Sequence, residues 1–581
     1  MIKKIEEHFE TIIIGGGGAG LTAAIELAKR KHKVAIISKV PPIFSHTTAA
    51  QGGINANFGN VEADDWRWHM YDTVKSSDWL GDQDSIEIMC KNANDAVLFL
   101  QKIGVEFDLD SNGKIYQKKY GGQTLNYGKG KLAYRACSVS DRTGREMMSN
   151  LIREALKHGV IFINFNFIID LIIDEEICSG VISYDISTGE FQSFRANNVI
   201  IATGGYSQIY KETTASSTCT GDGISLVANK GIALKDMEFV QFHPTALYNK
   251  GILISETARS LGGKLLNKHL EAFMHKYAPQ YGDLATRDIV ARAMATEINV
   301  ENGCGDKRDH LYLDLRNIPK EILDSKVTNV RHVCNSFLKI EPQFEPIPVS
   351  PAAHYTMGGI PTNEFCEVIN ITKNTQITFK GLYAIGEAAC HSAHGANRLG
   401  CNSLLDIVVF GIEVSKHILN KTKLHHTRSD KYSFTNPIPE GDSTISIKNI
   451  TNQIKDISQF YLGMYRTADS LNLAYSKLKE CGSAINKIKI NNTGLAWNND
   501  VISYFELKSL YTCAIHTCYA ALMRKESRGS HYREDFPERD DSTYCKHSFT
   551  KIDSNGENIK YIETRKNTKD VEFFPLEIRN Y

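Results

Sequence analysis

The chain has 581 residues, its 67 lysines and arginines are balanced by 67 aspartates and glutamates, and 42% of its residues are hydrophobic. At about 150 residues per domain, this length predicts roughly four domains with a large core, which excludes a small disulfide-stabilised scaffold. The zero net charge excludes a global electrostatic footprint for nucleic acid or for an anionic membrane surface.

The cysteine spacing gives no indication of a zinc or iron–sulfur site, and the hydropathy gives none of a membrane-spanning helix. The thirteen cysteines are scattered, without a C-x-x-C pair or a Cys/His cluster at zinc or iron–sulfur spacing, which is typical of a reduced, intracellular protein. The most apolar stretch, residues 402–414, is interrupted by Asp406, Gly411 and Glu413, so we expect no membrane-spanning helix. The first ten residues lack an apolar signal region, so we expect no targeting peptide in the chain as given, and a transit peptide already removed stays open.

A glycine-rich motif lies near the start of the chain. Residues 11–14 are β-branched and predict a strand, residues 15–20 read G-G-G-G-A-G, and residues 21–29 predict a helix. In this context the glycines let the backbone approach a pyrophosphate, and the helix N-terminus attracts it. A glycine-rich turn without a ligand is the simpler alternative, but a second strand at 34–37 favours a dinucleotide site.

The second strand is followed by Ser38 and Lys39, where an acidic residue that binds the adenosine ribose is expected. Lys39 is compatible with the 2′-phosphate of NADP. Two later strands favour FAD instead, because residues 199–202 lead into the turn TGG and residues 381–385 lead into the turn GEA. Several strand ends at one edge of an open sheet can hold a single extended dinucleotide. Ordinary strand–turn units are the alternative.

The rest of the chain divides by pattern. From about residue 236 to residue 348 the strand–helix alternation is lost, which indicates an insertion over the first domain, and residues 447–489 have helical periodicity. We therefore predict an α/β protein with a Rossmann-like FAD-binding domain (1–236 and 349–420), an inserted α+β capping domain (237–348), a linker (421–446), a helical domain (447–540) and a small C-terminal β-rich segment (541–581).

Residues 37–60 read ISKVPPIFSHTTAAQGGINANFGN, and at this point the chain resembles the succinate dehydrogenase/fumarate reductase flavoprotein family. The resemblance covers nearly the whole chain, in the family's order, through DDWRWHMYDTVK, GDQDSIE, DRTGRE, TGDGISL, QFHPTA, DLATRDIVARAM, EPIPVSPAAHYTMGGIPT, GEAACHSAHGANRLGCNSLLD and RKESRGSHYRED. It implies oxidation of succinate to fumarate by hydride transfer to FAD. It also implies that the inserted segment is a mobile cap that closes over the substrate and excludes water.

The resemblance implies that His46, in Ser45-His46-Thr47, is bonded covalently to the 8α-methyl group of FAD. Such a bond would raise the flavin reduction potential, because removal of hydride from an unactivated CH₂–CH₂ unit is difficult for a free flavin. Taken alone, a single histidine near a loop is more often a polar surface residue. No metal is expected, and the implied cofactor contacts are Gly15, Gly17, Gly20, Ser38, Lys39, His46, Thr47, Asp222, Glu387, Ser403 and Leu404.

The positions that match the family's substrate-binding residues are His243, Ser255, His354 and Arg398. A four-carbon dicarboxylate needs cationic and hydrogen-bonding groups at both ends, and an arginine offers a planar fork for one carboxylate. From spacing alone, the two histidines would be satisfied core residues. The resemblance makes them part of the dicarboxylate site.

Arg287, in DLATRDIVAR, matches the family's catalytic arginine. An arginine with a pKa above 12 is a poor base by itself, so it needs a relay that returns its charge. The resemblance implies that the proton passes from Arg287 to Glu256, then to Arg259 and out to solvent. Outside this context, Glu256 and Arg259 would be an i,i+3 surface ion pair.

Four positions depart from the family's pattern. Ser255 stands where the family has threonine, Tyr120 where it has phenylalanine, Ala246 where it has glycine, and Leu261 lies in a segment that is usually Gly-Glu-Gly-Gly. These changes affect the expected rates and selectivity, but none removes a charged group of the proposed chemistry. Cys401 lies where many relatives have glycine, alanine or serine, and whether it makes the site sensitive to thiol reagents is left open.

The resemblance also implies partners. The electrons would pass to an iron–sulfur subunit and then, through membrane-anchor subunits of respiratory complex II, to quinone. The chain would then be peripheral to an inner membrane, on its cytoplasmic face in bacteria or its matrix face in mitochondria, without a membrane span of its own. The alternatives are a fumarate reductase with the same residues, an L-aspartate oxidase-like enzyme, which lacks the Ser-His-Thr motif, and a non-catalytic assembly protein.

Overall fold

The computed structural model describes residues 2–372, 375–421, 434–441, 445–492, 494–553 and 556–579. Most of the predicted linker 421–446 lies outside these residues. The strands are β1 (Ile2–Ile14), β2 (Val34–Ser38), β3 (Ile54–Asn55), β4 (Gln117–Thr124), β5 (Leu132–Cys137), β6 (Ile161–Asn164), β7 (Asn166–Asp174), β8 (Ile177–Asp185), β9 (Phe191–Ile201), β10 (Leu234–Lys235), β11 (Val240–Leu247), β12 (Ile252–Leu253), β13 (Lys264–Leu266), β14 (Leu311–Asp314), β15 (Ile347–Thr356), β16 (Ile360–Pro361), β17 (Glu367–Thr372), β18 (Thr375–Ala384), β19 (Ala389–Cys390), β20 (Lys546–Asp553) and β21 (Gly556–Glu563).

The helices alternate with these strands in the first part of the chain and cluster in the last part. They are α1 (Gly18–Ala28), α2 (Trp66–Ser76), α3 (Gln83–Lys91), α4 (Ala93–Lys102), α5 (Thr143–Lys157), α6 (Asp222–Asn229), α7 (Thr257–Ser260), α8 (Met274–Tyr277), α9 (Arg287–Glu297), α10 (Lys320–Lys326), α11 (Thr328–Leu338), α12 (Asn402–Asn420), α13 (Ile447–Tyr461), α14 (Ala468–Ile485), α15 (Asn499–Met523) and α16 (Asp541–Tyr544).

The largest sheet has eight strands, in the order β17-β18-β8-β9-β1-β2-β6, with β7 paired to β8. Its centre is parallel, because β1 runs alongside both β2 and β9, and Ile13 lies between Ile36 and Ile200. Ile12, Ile13 and Ile14 of β1 are buried on both faces, which explains the continuous apolar run in this part of the sequence. The carboxyl ends of β1, β2, β9 and β18 therefore meet at one edge, and the predicted α/β fold is confirmed.

A second, antiparallel sheet, in the order β12-β11-β15-β14-β13, is formed largely by residues of the predicted insertion 237–348, but its strand β15 continues to Thr356. It has a separate hydrophobic core with α8 to α11, built around residues such as Leu265, Met294 and Val330. Strand β11 pairs with β15 so that His243 faces Ala352. This pairing brings His243 close to His354, 111 residues away in the chain.

The last helices pack directly on the large sheet. Ile454 of α13, Leu478 of α14 and Cys513 of α15 share one buried cluster with Val181 and Val199 of the sheet. The C-terminal hairpin of β20 and β21 joins β10 through the pairing of Phe549 with Lys235. The predicted domain boundaries stay predictions. In the part of the chain that the structure describes, no helix is long and apolar enough to cross a membrane.

Candidate flavin and dicarboxylate site

A cavity of about 370 Å³ follows the carboxyl edge of the large sheet. The predicted cofactor residues that line it are Gly15, Gly17, Ser38, Lys39, His46, Thr47, Asp222, Glu387, Ser403 and Leu404, and the predicted substrate and catalytic residues that line it are Arg287, His354 and Arg398. Gly20, His243, Ser255, Glu256 and Arg259 are buried residues outside this lining. The structure therefore brings most of the predicted site together around one cavity.

The glycine motif has two different structural roles. Gly15 has a φ of 104°, and a Cβ there would lie 2.4 Å from the carbonyl oxygen of Ala202, so only glycine fits where β1 and β9 end. Gly17 precedes α1, and a Cβ on it would meet nothing closer than 3.7 Å, which leaves the backbone accessible from the cavity. Gly20 does not face the cavity; a Cβ there would lie 2.2 Å from the carbonyl oxygen of Gly15. It allows the helix to approach the strand.

The residues at the edge of the sheet fit a dinucleotide. The N-cap residue of α1, Gly17, has no side chain to cap the helix, and the backbone N–H of Gly18 donates to Thr47 Oγ1. The N-terminus of this eleven-residue helix lines the cavity, where its positive end attracts a pyrophosphate. Two buried polar atoms of cavity-lining residues, Thr203 Oγ1 and Gln51 Oε1, have no hydrogen-bond partner among the described residues. Because buried polar atoms nearly always have a hydrogen-bond partner, these two atoms indicate a polar ligand that would form hydrogen bonds with them.

Lys39 is held by a cluster of acidic and hydroxyl groups. Its Nζ lies 2.8 Å from Asp222 Oδ2 and 2.7 Å from Glu506 Oε1, and it donates a hydrogen bond of 2.7 Å to Thr220 Oγ1. Burial acts to lower the pKa of Lys39, but the two carboxylates hold that pKa above its ordinary value. Since the ammonium group is already paired twice, the site favours the uncharged ribose of FAD over the 2′-phosphate of NADP.

His46 lies in a 3₁₀ turn (His46–Ala49) beside the cavity. Its Nδ1 accepts a hydrogen bond of 3.2 Å from the backbone N–H of Ser216. Burial, with a smaller contribution from Arg398, lowers the pKa of His46 to about 4, so the ring is neutral at physiological pH. The next residue, Thr47, accepts a hydrogen bond of 3.2 Å from the backbone N–H of Gly18 at the start of α1.

Glu387 follows β18 at the same edge. Its Oε1 accepts hydrogen bonds from the backbone N–H of Thr356 at 2.9 Å and from the hydroxyl of Thr356 at 3.1 Å. Burial raises the pKa of Glu387 to about 7 in spite of these bonds. Ser403 and Leu404 lie in the first turn of α12, whose N-terminus faces the cavity.

His243, which is buried, and His354, which is partly buried, have ring centroids 5.0 Å apart. His354 Nδ1 shares a hydrogen bond of 2.7 Å with the hydroxyl of Thr214, and His243 Nδ1 accepts one of 3.2 Å from the N–H of Thr245. Burial, together with the nearby arginines, lowers both pKa values well below the ordinary histidine value. Both rings are therefore neutral, and His243 Nε2, which has no partner among the described residues, is available as a donor.

Arg398 is the main cation of the cavity wall. Its guanidinium stacks 4.5 Å from the ring of Tyr355, and its Nε has no hydrogen-bond partner among the described residues. Burial, followed by repulsion from Arg287, lowers the pKa of Arg398 to about 10. The group stays charged at neutral pH and has a free donor for a carboxylate.

Arg287, Glu256 and Arg259 lie next to one another in the order of the predicted proton relay, and we call these three residues the proton row. Arg287 Nε donates a hydrogen bond of 3.0 Å to Glu256 Oε2, and Arg259 Nη2 lies 3.8 Å from the same oxygen. Although burial acts to raise the pKa of Glu256, the two arginines hold it below its ordinary value. Arg259 also donates to the carbonyl oxygen of Asp283, whose carboxylate lies 3.1 Å from Lys264 at the surface. The row thus leads from the cavity towards solvent.

Gln241 is a site residue that the sequence reasoning missed. Its Oε1 accepts hydrogen bonds from Arg287 Nη1 at 3.4 Å and from Arg398 Nη2 at 3.0 Å, while its Nε2 donates 2.8 Å bonds to Asn397 Oδ1 and to the carbonyl oxygen of Arg398. One amide therefore fixes the spacing of the two cavity arginines. Its position two residues before His243 could have identified it from the sequence, because alternate residues of a strand share a face.

Comparisons with known proteins agree with this geometry. The FAD binding domain family matches residues 10–404, and the fumarate reductase flavoprotein C-terminal family matches residues 451–581. The succinate dehydrogenase flavoprotein subunit of Rickettsia bellii is 45% identical over 561 residues, which cover 95% of this chain and 94% of that protein. The mitochondrial succinate dehydrogenase [ubiquinone] flavoprotein subunit of Oryza sativa is 43% identical, over 99% of this chain and 94% of that protein.

Solved structures show the same architecture. A variant of Escherichia coli quinol fumarate reductase superposes with a TM-score of 0.90 at 30% identity, over 100% of this chain and 99% of that one. Mycobacterium smegmatis Sdh1 in complex with UQ1 superposes with a TM-score of 0.79 at 27% identity, over 97% and 95% of the two chains. The family inferred from the sequence motifs is confirmed: the chain belongs to the succinate dehydrogenase/fumarate reductase flavoprotein family.

Proposed function

We propose that the chain is the catalytic flavoprotein subunit of a succinate dehydrogenase, which oxidises succinate to fumarate. The observation that carries the proposal is the contact of Arg287 with both Glu256 and Gln241 at the wall of the flavin cavity. This contact connects a proton-conducting row to the cation that would hold the substrate, Arg398, through a single amide. The names of the relatives favour succinate oxidation over the reverse reaction, for which the same residues would serve.

The dicarboxylate would lie between Arg398 and the histidine pair. Arg398 offers a free Nε donor to one carboxylate, and His243 Nε2 offers a neutral donor to the other. The hydroxyl of Ser255 is the remaining predicted contact. Donors at both ends stabilise the carbanion-like charge that develops when a proton leaves the carbon next to a carboxylate.

Arg287 would take the proton from the substrate carbon. Its Nε–H first passes to Glu256 Oε2, 3.0 Å away, and the guanidine that results is a base with a free position for the substrate proton. Glu256 would then give its proton to Arg259, 3.8 Å away, as Arg259 releases one to water at the outer end of the row. Each guanidinium loses one proton as it gains another, so no charge accumulates in the buried row.

FAD, when bound, supplies the acceptor for the hydride that leaves the neighbouring carbon. The attachment residue would be His46, bonded through Nε2. A carbon on Nε2 leaves Nδ1 of a neutral ring as a hydrogen-bond acceptor, and the N–H of Ser216 already donates to that atom. The pKa of His46, which burial lowers to about 4, keeps the ring unprotonated and nucleophilic.

We infer that the electrons leave the chain through an iron–sulfur subunit and membrane-anchor subunits, which places it at the surface of an inner membrane, on the cytoplasmic or matrix face. The exposed apolar side chains of Ile43 and Phe44, 41% and 63% exposed, support a docked partner beside His46. In a partner complex both side chains would be removed from water.

The proposal is tested on the purified protein by succinate-dependent dye reduction and by flavin retained after acid denaturation and washing. Arg287→Ala is expected to abolish turnover while flavin stays, and His46→Ser is expected to release flavin and lower succinate oxidation. Arg316→Ala and His332→Ser change exposed residues and are matched controls. Wild-type protein that holds flavin but does not oxidise succinate would refute the proposed activity. Flavin that washes from the wild type would refute the covalent attachment.

A further inference from the structure

Three buried hydroxyl groups form a continuous row beside the proposed dicarboxylate site. The hydroxyl of Tyr120 lies 2.7 Å from Thr257 Oγ1, and Ser255 Oγ donates a hydrogen bond of 3.1 Å to the same atom. The N–H of Thr257 donates in return to Ser255 Oγ at 3.3 Å. All three side chains are almost completely buried, so water does not compete for these bonds.

The row joins two parts of the fold. Tyr120 belongs to β4 of the sheet β3-β5-β4, whereas Ser255 and Thr257 precede and begin α7 of the inserted segment. The ring of Tyr120 packs against Cys401 at the cavity wall. The residue after it, Gly121, donates its N–H to Glu256 Oε1 at 3.1 Å. Strand β4 thus contacts both Thr257, which is bonded to the predicted substrate hydroxyl of Ser255, and Glu256 of the proton row.

The direction of the hydroxyl row decides what Ser255 can do. In the structure the Ser255 proton points to Thr257. To donate to a carboxylate, Ser255 must turn its proton away from Thr257 Oγ1, while its own oxygen keeps the backbone N–H of Thr257 as a donor. The Thr257 oxygen is left needing a donor, and Tyr120 is the hydroxyl that reaches it. Hydrogen bonds in such a chain strengthen one another.

The residue type at position 255 gives an independent reason for this row. A threonine side chain is β-branched and restricted at χ1, whereas a serine hydroxyl rotates among three positions. Position 255 is a serine, whose side chain lacks the second branch that would restrict it. The hydrogen bonds to Thr257 therefore restrain a side chain that rotates more freely than a threonine side chain would.

We propose that Tyr120 is a positioning residue that acts through Thr257 to turn the Ser255 hydroxyl towards a carboxylate of the substrate. The inference rests on the proposed function, because it concerns how the same site recognises a dicarboxylate. Tyr120 itself touches neither the substrate nor the proton row. Its effect falls on dicarboxylate affinity rather than on the chemical step.

The test compares Tyr120→Phe with wild type in flavin-containing protein. We measure kcat and KM for succinate, and the dissociation constant of malonate, a dicarboxylate that cannot be oxidised because it lacks adjacent CH₂ groups. The loss of one buried hydrogen bond is expected to raise KM and the malonate constant about threefold to tenfold and to leave kcat within about twofold. Thr257→Val interrupts the row in the middle and is expected to give the same result. Tyr116→Phe removes a hydroxyl outside the row and is the matched control.

Two double variants distinguish positioning from a general structural role. In the Ser255→Ala background, Tyr120→Phe is expected to have no further effect on malonate affinity. In the Ser255→Thr background, Tyr120→Phe is expected to have little effect, because the branched residue orients itself. Two results would overturn the inference: a further loss of malonate affinity from Tyr120→Phe in the Ser255→Ala background, or a loss in the Ser255→Thr background as large as the loss in the wild-type background. Where Tyr120→Phe does not retain flavin, Thr257→Val decides by the same criteria. A wild-type enzyme without succinate turnover would refute the proposed function instead.

Discussion

The substitution Glu256→Gln tests the proton row most directly. The carboxylate of Glu256 is buried between Arg287 at 3.0 Å and Arg259 at 3.8 Å and accepts a bond from the N–H of Gly121. Glutamine has nearly the same shape but carries no charge and cannot take up a proton. The variant therefore keeps the geometry and removes the proton acceptor.

Two magnitudes follow from these contacts. A positioned acid–base group contributes about 10²- to 10⁴-fold to rate, so kcat is expected to fall by about that factor. Removing one partner of a buried ion pair costs about 3–5 kcal/mol, and the amide oxygen that remains for Arg287 places the loss of unfolding free energy near the lower end, about 3 kcal/mol. Because the pKa of Glu256 is below its ordinary value of 4.5, the carboxylate stabilises the fold above that pH. The stability difference between the two proteins should therefore shrink as the pH falls below 4.5 towards the folded-state pKa.

The assay is succinate-dependent dye reduction, normalised to the flavin content, with urea unfolding at pH 7 and at pH 4. Malonate affinity should not fall, because Glu256 is not a predicted dicarboxylate contact and the substitution removes a negative charge beside Arg287. Glu301→Gln removes an exposed carboxylate that is paired with Arg308 in the same segment, and it is the matched control. A flavin-normalised kcat within about fivefold of wild type would refute the proton row.

Three further predictions concern other parts of the site. Gln241→Leu removes the amide between Arg287 and Arg398, so mutual repulsion should lower kcat/KM for succinate by at least about tenfold; steady-state kinetics with unchanged values would contradict the bridging role. Gly20→Ala places a Cβ 2.2 Å from a backbone oxygen and should lower the bound flavin per chain, measured by absorbance. Because the pKa values of His243 and His354 are lowered by burial, protonation disfavours the folded state, and urea unfolding should show stability falling as the pH drops below about 6.5. An unfolding free energy that rises as the pH drops below about 6.5 would contradict the inference that both rings are neutral.

The sheet edge was predictable from local sequence. A glycine-rich turn between a strand and a helix has one common arrangement, and parallel strands that end in TGG and GEA turns meet at the same edge. The structure places the loops after β1, β9 and β18 around one cavity, as expected. This part succeeds because it depends on backbone geometry that short segments specify by themselves.

The interactions between distant residues were not predictable. Lys39 was read as a possible phosphate site, but its ammonium pairs with Glu506, 467 residues later in the chain. The same limit applies to Gln241, whose amide orientation depends on Arg287, Asn397 and Arg398 together. A sequence names the side chains, but the partner of a buried polar group depends on long-range packing that no local pattern encodes.

The charges at the cavity explain why a dicarboxylate is the appropriate ligand. The guanidinium groups of Arg287 and Arg398 both line the cavity, and the two histidines are neutral. Glu256 pairs with Arg287, and repulsion from Arg287 contributes to the lowered pKa of Arg398. A dicarboxylate would add negative charge beside these two arginines and offset their mutual repulsion. Recognition of a dicarboxylate would then depend on the same arginines that are proposed to hold the substrate and to move its proton.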